Sequence, residues 1–225
     1  MQKNIVITGA GSGLGRALAI QFSQKENHLH LIGRTKSKLV KTEEKLTGSS
    51  EIHLLDISKK EDVEKVFSKI DEVDILVNNA GTGIFAKVEN LKKEDINQMI
   101  DTNLKGTIFC TQEVLKKMKG ENKGMIINII STAGKKGKAT ESVYCASKFG
   151  IRGFTDSLEK ELEQSNIQIK AVYMGGMNTP FWDGIMEEEK KKKFMSPSDV
   201  AEIILANIKQ KPKLNVREIL INRKK

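Results

Sequence analysis

The stretch that most narrows the possible folds lies near the amino terminus. Lys3-Asn4-Ile5-Val6-Ile7-Thr8 is a short β-forming run, and Gly9-Ala10-Gly11-Ser12-Gly13-Leu14-Gly15 follows it without a spacer. Arg16-Ala17-Leu18-Ala19-Ile20-Gln21-Phe22 then sets apolar residues at helical spacing. Strand, glycine turn and helix, in that order, open a dinucleotide-binding unit. Small residues let the backbone turn tightly. The helix amino terminus presents N–H groups and the positive end of its dipole to a pyrophosphate. A glycine cluster alone says little; its place between a strand and a helix makes it informative.

The same alternation continues along the chain. Apolar or β-forming runs over 28–33, 51–55, 73–77, 125–130, 167–173 and 218–221 read as six further strands. Helical patterns fill 59–70, 92–119 (with a possible break), 141–164 and 196–209, the last opened by Ser196-Pro197-Ser198-Asp199. Such alternation specifies one doubly wound parallel sheet. The 225 residues suit one α/β domain spanning 1–225, without linker or internal repeat. Residues 174–182, with Gly175, Gly176 and Pro180, read as a loop whose Thr179 can contact a bound ligand. The polar, lysine-rich segment 183–195 reads either as a mobile lid over a site or as an ordinary surface helix.

Residues at the strand ends bear on the cofactor. An NAD-binding unit usually ends its second strand with a carboxylate for the ribose 2′-hydroxyl. Here Gly33-Arg34 stands there, with Lys36 and Lys38 beyond. A carboxylate would repel a 2′-phosphate, whereas a guanidinium binds one bidentately. NADP(H) is therefore favoured, NAD(H) remains open, and the plain alternative is that Arg34 starts a solvated helix. Asp56, after the third strand, can accept from an adenine amino group or, with Ser58, cap the next helix. His28 and His30 read as structural strand residues. In Asn78-Asn79-Ala80-Gly81, side-chain amides can tie strands together while Ala-Gly leaves room for a ligand. Asn103 sits mid-helix, where asparagine is neutral or unfavourable, and so requires a reason.

A second constellation spans Ser131 to Lys148. Tyr144 and Lys148 are four residues apart and share one face if that segment is helical. Ser131 ends the fifth strand, where open α/β sheets bind ligands. A free phenol has a pKa of about 10. An adjacent ammonium favours the phenolate, and a catalytic group works best with its pKa near the operating pH. Tyr-x-x-x-Lys alone is more often an ordinary helix face; its weight comes from the company it keeps.

Charge and composition remove other classes. The formal charge is +9, but lysines and glutamates are interspersed, as in 36–45 and 187–193, and there are few aromatics to stack on bases. A solvated basic surface that attracts an anionic cofactor is expected, not a nucleic-acid binder. No apolar run approaches the roughly 20 residues of a membrane helix, and the chain starts directly in a strand, so neither membrane span nor signal peptide is expected. Cys110 and Cys145 show no metal-ligand spacing; no metal site is assigned, and a reduced, cytoplasmic setting is expected.

Together these motifs resemble the short-chain dehydrogenase/reductase family, of the compact tyrosine-dependent kind, over about residues 3 to 209. The matching positions are Thr8-Gly9-x-x-x-Gly13-x-Gly15, Asn78-Asn79-Ala80-Gly81, and Asn103, Ser131, Tyr144 and Lys148. The resemblance implies a Rossmann-type, mostly parallel seven-stranded sheet of order 3-2-1-4-5-6-7 with helices on both faces. It implies that Tyr144 exchanges a proton with the substrate oxygen and that Ser131 positions that oxygen. Lys148 lowers the tyrosine pKa and holds the nicotinamide ribose, and Asn103 anchors a water in a proton relay. Gly9, Gly13 and Gly15 surround the pyrophosphate, with Leu14 in the same cofactor set. Ser12 and Arg34 meet the 2′-phosphate, Asp56 the adenine, Asn79 the adenosine side and Thr179 the carboxamide. The family's usual homodimer or homotetramer pairs through the helices around 92–119 and 141–164.

Two positions depart from the family pattern. Met174 replaces the usual proline before Gly175, and Ser12 stands where NADP(H)-binding members often carry a basic residue. The expected activity is an NADP(H)-dependent oxidoreductase moving hydride between nicotinamide and a small-molecule carbonyl or secondary alcohol. The competing reading is a non-catalytic dinucleotide sensor or scaffold, which has no need of the pair Ser131 and Tyr144. Ala133, Val143, Phe181 and Trp182 suggest an apolar substrate pocket without selecting a substrate.

Overall fold

The computed structural model describes residues 2–209 and 214–224. Seven strands, β1 Asn4–Thr8, β2 His28–Gly33, β3 Ser50–Leu54, β4 Ile75–Asn78, β5 Gly124–Ile129, β6 Ile167–Met174 and β7 Glu218–Ile221, form one sheet in the order β3-β2-β1-β4-β5-β6-β7. The order is the expected one. Among the described residues all six strand pairs are parallel. The helices are α1 Gly13–Ser23, α2 Lys36–Glu43, α3 Lys60–Phe67, α4 Lys93–Met99, α5 Gly106–Glu121, α6 Ser142–Glu161, α7 Glu188–Lys191 and α8 Pro197–Asn207.

Strand alternation divides the core into two layers. Ile5 and Ile7 of β1, Leu29 and Leu31 of β2, and Met125, Ile127 and Ile129 of β5 face α1 and α8. Val6, Ile32 and Ile126 face the opposite way, toward Phe67 of α3, Val114 of α5 and Leu158 of α6. The near-continuous apolar runs of β1, β2, β4, β5 and β6 follow from this, because these strands are covered on both sides, whereas the edge strands β3 and β7 keep exposed positions.

Three local expectations change. Residues 92–119 are not a plain α-helix: Ile100–Lys105 form a π-helical turn between α4 and α5. The turn carries Asn103 into the interior, where it is fully buried. The third helix is shorter than 59–70, and neither Asp56 nor Ser58 caps it. Its N-cap position is Lys59. Asp56 Oδ1 instead accepts from Ser58 N at 3.1 Å and Ser58 Oγ at 2.8 Å, closing a local turn. Ser196 does cap α8, accepting from Ser198 N and Asp199 N.

A chain of buried amides and hydroxyls joins helix to strand to strand to helix. Asn78 Nδ2 donates to Thr111 Oγ1 of α5 and to Asn128 Oδ1 of β5, at 3.0 and 2.9 Å. Asn128 Nδ2 donates to Thr155 Oγ1 of α6 at 2.8 Å. All four residues are buried. Removing the middle link strands two partners, and each unsatisfied buried group costs about 1–3 kcal/mol. Asn128→Ala is therefore expected to lower urea-unfolding stability by about 2–4 kcal/mol, and Asn128→Asp to cost at least as much at neutral pH.

Candidate active site

The glycine turn is held from beneath. Arg16 Nη2 donates to Gly11 O at 2.5 Å and Arg16 Nε to Thr42 Oγ1 at 3.0 Å, while Thr42 Oγ1 donates to Ala10 O at 3.0 Å. With its carbonyls engaged by α1 and α2, the turn presents its other side to solvent. Gly9 and Gly13 take positive φ values of 68° and 52°, the left-handed region that side chains disfavour. Gly15 has another reason: a Cβ there would stand 2.3 Å from Gly9 O and 2.6 Å from Asn79 Nδ2. The bare glycine thus lets the turn pack closely against Gly9 O and the Asn79 side chain. Arg16 and Thr42 carry no motif, and the sequence alone did not single them out.

Where β1 and β4 meet, the chain leaves the sheet in opposite directions, opening a crevice at the strands' carboxyl ends. A cleft of about 430 Å³ occupies it. Arg34, Lys38 and Asp56 line one end, and Ser131, Tyr144 and Lys148 the other. Gly9, Ser12, Gly13, Leu14, Asn79 and Thr179 line the stretch between them. Eleven sequence-derived positions, from the loops after six strands and from helices α1 and α6, thus meet in one cavity; Gly15 and Asn103 are not among its lining residues. Arg34 and Lys38 are exposed and make the end near β2 positive. Asn79 is turned inward: its Nδ2 donates to Thr8 O at 3.0 Å and Gly9 O at 3.3 Å. An extended cleft with left-handed glycines, a helix amino terminus and a cationic end fits a phosphorylated dinucleotide.

At the other end, Tyr144 and Lys148 stand one turn apart on α6 and are 8% and 5% exposed. Lys148 Nζ donates to Ile129 O at 3.1 Å and lies 5.8 Å from the Tyr144 ring centre. Burial lowers the lysine pKa to about 8. Burial also holds the Tyr144 phenol above its ordinary value, with the Ser131 side chain working against it. Burial thus opposes the pull that the neighbouring ammonium exerts toward the phenolate.

Ser131 has φ 112° and ψ 153°, a backbone region almost reserved for glycine. Asn103 supports the same corner from within. Its Nδ2 donates to Thr82 O at 2.9 Å and Ser147 Oγ at 3.0 Å, and its Oδ1 accepts from Thr82 N at 2.8 Å. A Cβ on Gly81 would stand 3.2 Å from Asn103 Oδ1 and 3.7 Å from Lys148 Nζ. The bare glycine lets both polar atoms reach the same space.

The apolar lining is more aromatic than the sequence suggested. Phe85 meets Tyr144 edge-on at 5.5 Å between ring centres, Phe181 lies 5.9 Å from Tyr144, and Trp182 lies 5.5 Å from Phe85. Phe85 had no sequence signal; it enters from the loop after β4. Ala133 and Val143 pack behind this wall. The segment 183–195 is fastened to the cleft rim. Met195 N donates to Gly176 O, Asn178 N to Met195 O, and the buried Lys191 binds Asp183 and Glu188. Phe194 lies against Trp182 with ring centres 5.4 Å apart and planes tilted by 59°.

A family model described as short chain dehydrogenase matches residues 3–190. A sepiapterin reductase from Chlorobaculum tepidum is 35% identical, covering 98% of this chain and 96% of that protein. A crystal structure of a short-chain dehydrogenase/reductase from Vibrio parahaemolyticus superposes with a TM-score of 0.88 at 33% identity, covering 98% of this chain and all of the other. The closed form of a serine dehydrogenase complexed with NADP+ gives 0.90 at 29% identity, covering 96% and 93%.

The strained backbone at Ser131 has a measurable signature. Ser131→Ala and Ser131→Gly both remove the hydroxyl, but only glycine relaxes the backbone. The glycine variant is expected to be about 1–2 kcal/mol more stable than the alanine variant in urea unfolding, although an ordinary extended strand end would rank them the other way.

Proposed function

The chain belongs to the short chain dehydrogenase family, and from that footing we propose that it is an NADP(H)-dependent oxidoreductase acting on a planar carbonyl compound or the matching secondary alcohol. The observation that supports this best is the convergence of Ser131, Tyr144 and Lys148 with Arg34 in one cleft. The cofactor supplies the hydride. The chain supplies the rest. Arg34 and Ser12 hold the 2′-phosphate, Gly9, Gly13 and Leu14 line the pyrophosphate, Asp56 and Asn79 bound the adenosine side, and Thr179 takes the carboxamide end. NAD(H) fits the same cleft without the Arg34 contact.

For reduction, Ser131 Oγ donates to the substrate oxygen and fixes it beside Tyr144. As the carbonyl carbon gains hydride, the oxygen takes the Tyr144 proton. Lys148, beside the phenol, stabilises the charge left on it. Its pKa, lowered to about 8 by burial, rises when anionic phosphates enter, which favours the ammonium further. Asn103, locked by Thr82 and Ser147, fixes the loop at Gly81 where a relay water joins Lys148 to solvent. In the alcohol direction each proton move is reversed. Phe85, Phe181 and Trp182 offer flat faces, which suit a conjugated or aromatic substrate, and the similarity to a sepiapterin reductase accords with that class. The enzyme works as a cytoplasmic, single-domain homodimer or homotetramer through the α4–α5 and α6 helices, where Phe149 is exposed. The non-catalytic sensor gains no support from this geometry.

Tyr144→Phe is expected to lower kcat by at least about 100-fold while NADPH binding, followed by nicotinamide fluorescence, stays within a few-fold. Full turnover in that variant would refute the acid/base role. Arg34→Asp is expected to weaken NADPH binding by about 10- to 100-fold and leave NADH unchanged or improved. Equal affinities for both cofactors in the unaltered protein would overturn the NADP(H) assignment. The substrate panel should contain planar ketones, sepiapterin and small aliphatic ketones, with preference for the last counting against the aromatic wall.

A further inference from the structure

The chain has three histidines, His28, His30 and His53, and the sheet gathers all three at one edge. β2 and β3 pair in parallel with His30 opposite Glu51 and Ile32 opposite His53. Leu29 and Leu31 face the α1 side, so His28 and His30 face the α3 side with Ile32. Paired residues of a parallel ladder share a face, which puts Glu51 and His53 there too. β3 is the last strand of the sheet.

The spacing is that of a ligand set. His30 Nδ1 lies 3.0 Å from His53 Nε2, and each of these nitrogens lies 3.7 Å from Glu51 Oε2. Ligand atoms of His28, His30 and Glu51 also fall within 4.8 Å of one another. Atoms bound to one ion at about 2.0–2.1 Å stand about 3.0–3.4 Å apart, so a small inward shift of the Glu51 carboxylate would close the set of His30, His53 and Glu51, and a larger movement would bring in the half-buried His28 as the fourth ligand. His30 and His53 are 6% and 8% exposed and held in position by their strands. Glu51 is exposed and brings a negative charge and a path from solvent. His28 Nδ1 is taken by Ser49 Oγ at 2.8 Å, which leaves Nε2 free and fixes the ring.

We propose that His28, His30, Glu51 and His53 bind a divalent transition-metal ion of the zinc type, stapling the edge strand β3 to β2. Imidazole nitrogens with one carboxylate suit zinc, nickel or copper and not magnesium or calcium. Ordinary packing explains a single buried imidazole pair, but not the addition of a third histidine and a carboxylate on the same face. His28, His30 and Glu51 lie in the first halves of β2 and β3, and His53 pairs with Ile32 behind the cleft; none of the four lines the cleft itself, so the site takes no part in hydride transfer.

The test uses the untagged full-length protein, stripped with chelator and titrated with Zn²⁺ against a chromophoric competitor, with Co²⁺ as the spectroscopic probe. One ion per chain, visible Co²⁺ bands and a rise of a few degrees in Tm with Zn²⁺ are expected. His30→Gln/His53→Gln should lose at least tenfold in affinity and abolish the Tm shift while NADPH binding persists. Should that double variant fail to fold, His28→Gln and Glu51→Gln, at less buried positions, must each weaken Zn²⁺ binding at least threefold. Absence of stoichiometric binding to the folded unaltered protein, or binding unchanged in the folded variants, overturns the site.

Discussion

One hydroxyl fixes the place where the two halves of the sheet part. Thr8 Oγ1, at the end of β1, donates to Val77 O of β4 and accepts from Asn79 N and Ala80 N, each at 3.0 Å. It is fully buried. Without it, the backbone leaving β4 would carry two unpaired N–H groups at the point where the chain must diverge from the glycine turn. Asn79 returns the tie by bonding the carbonyls of Thr8 and Gly9. The crevice between β1 and β4 is therefore a hydrogen-bonded corner, and the cleft walls on either side take their positions from it.

The opposite wall is built on a different principle. Tyr144 and Lys148 are taken out of water, and their titration follows burial first. This leaves a neutral phenol beside a lysine that loses its proton easily. Negative charge brought into the cleft would favour the ammonium and oppose the phenolate, so the two groups would respond to it together. Ser131 contributes to the same economy by accepting an unfavourable backbone geometry that aims its hydroxyl at the phenol. The fold tolerates this because β5 is buried on both faces and its end is anchored by Ala133 N, which donates to Ser131 Oγ at 3.2 Å.

The strands were legible because the sequence alternates cleanly between apolar runs and helical patterns, and covered strands need such runs; their order followed only from the resemblance to the family. The cleft residues were legible where they sit at strand ends: Gly9, Arg34, Asp56, Asn79, Ser131 and Thr179 each follow a readable strand. What escaped was whatever depends on tertiary approach. Arg16 and Thr42 look like ordinary helix residues until the glycine turn is laid over them. Phe85 belongs to a loop whose path no periodicity reveals. The histidines alternate as any strand residues do, and only the β2–β3 register brings His53 beside His30. Helix ends also drifted, as with Asp56, whose side chain satisfies its own turn before it can reach a helix.

The π-helical turn at Ile100–Lys105 has a consequence for how this segment can vary in length. A π-turn holds one residue more than the α-helix it interrupts, and each residue advances a helix by about 100°. That extra residue sets the angular phase between α4 and α5. Deleting it would let the helix run straight, but would rotate all of α4 relative to α5 and swing Asn103 off the Thr82 and Ser147 side. Insertions in a surface loop spend themselves locally; a change of one residue here would be transmitted along a helix to the loop carrying Phe85. The segment is thus an indexed part, free to exchange side chains on its outer face but not to gain or lose a residue.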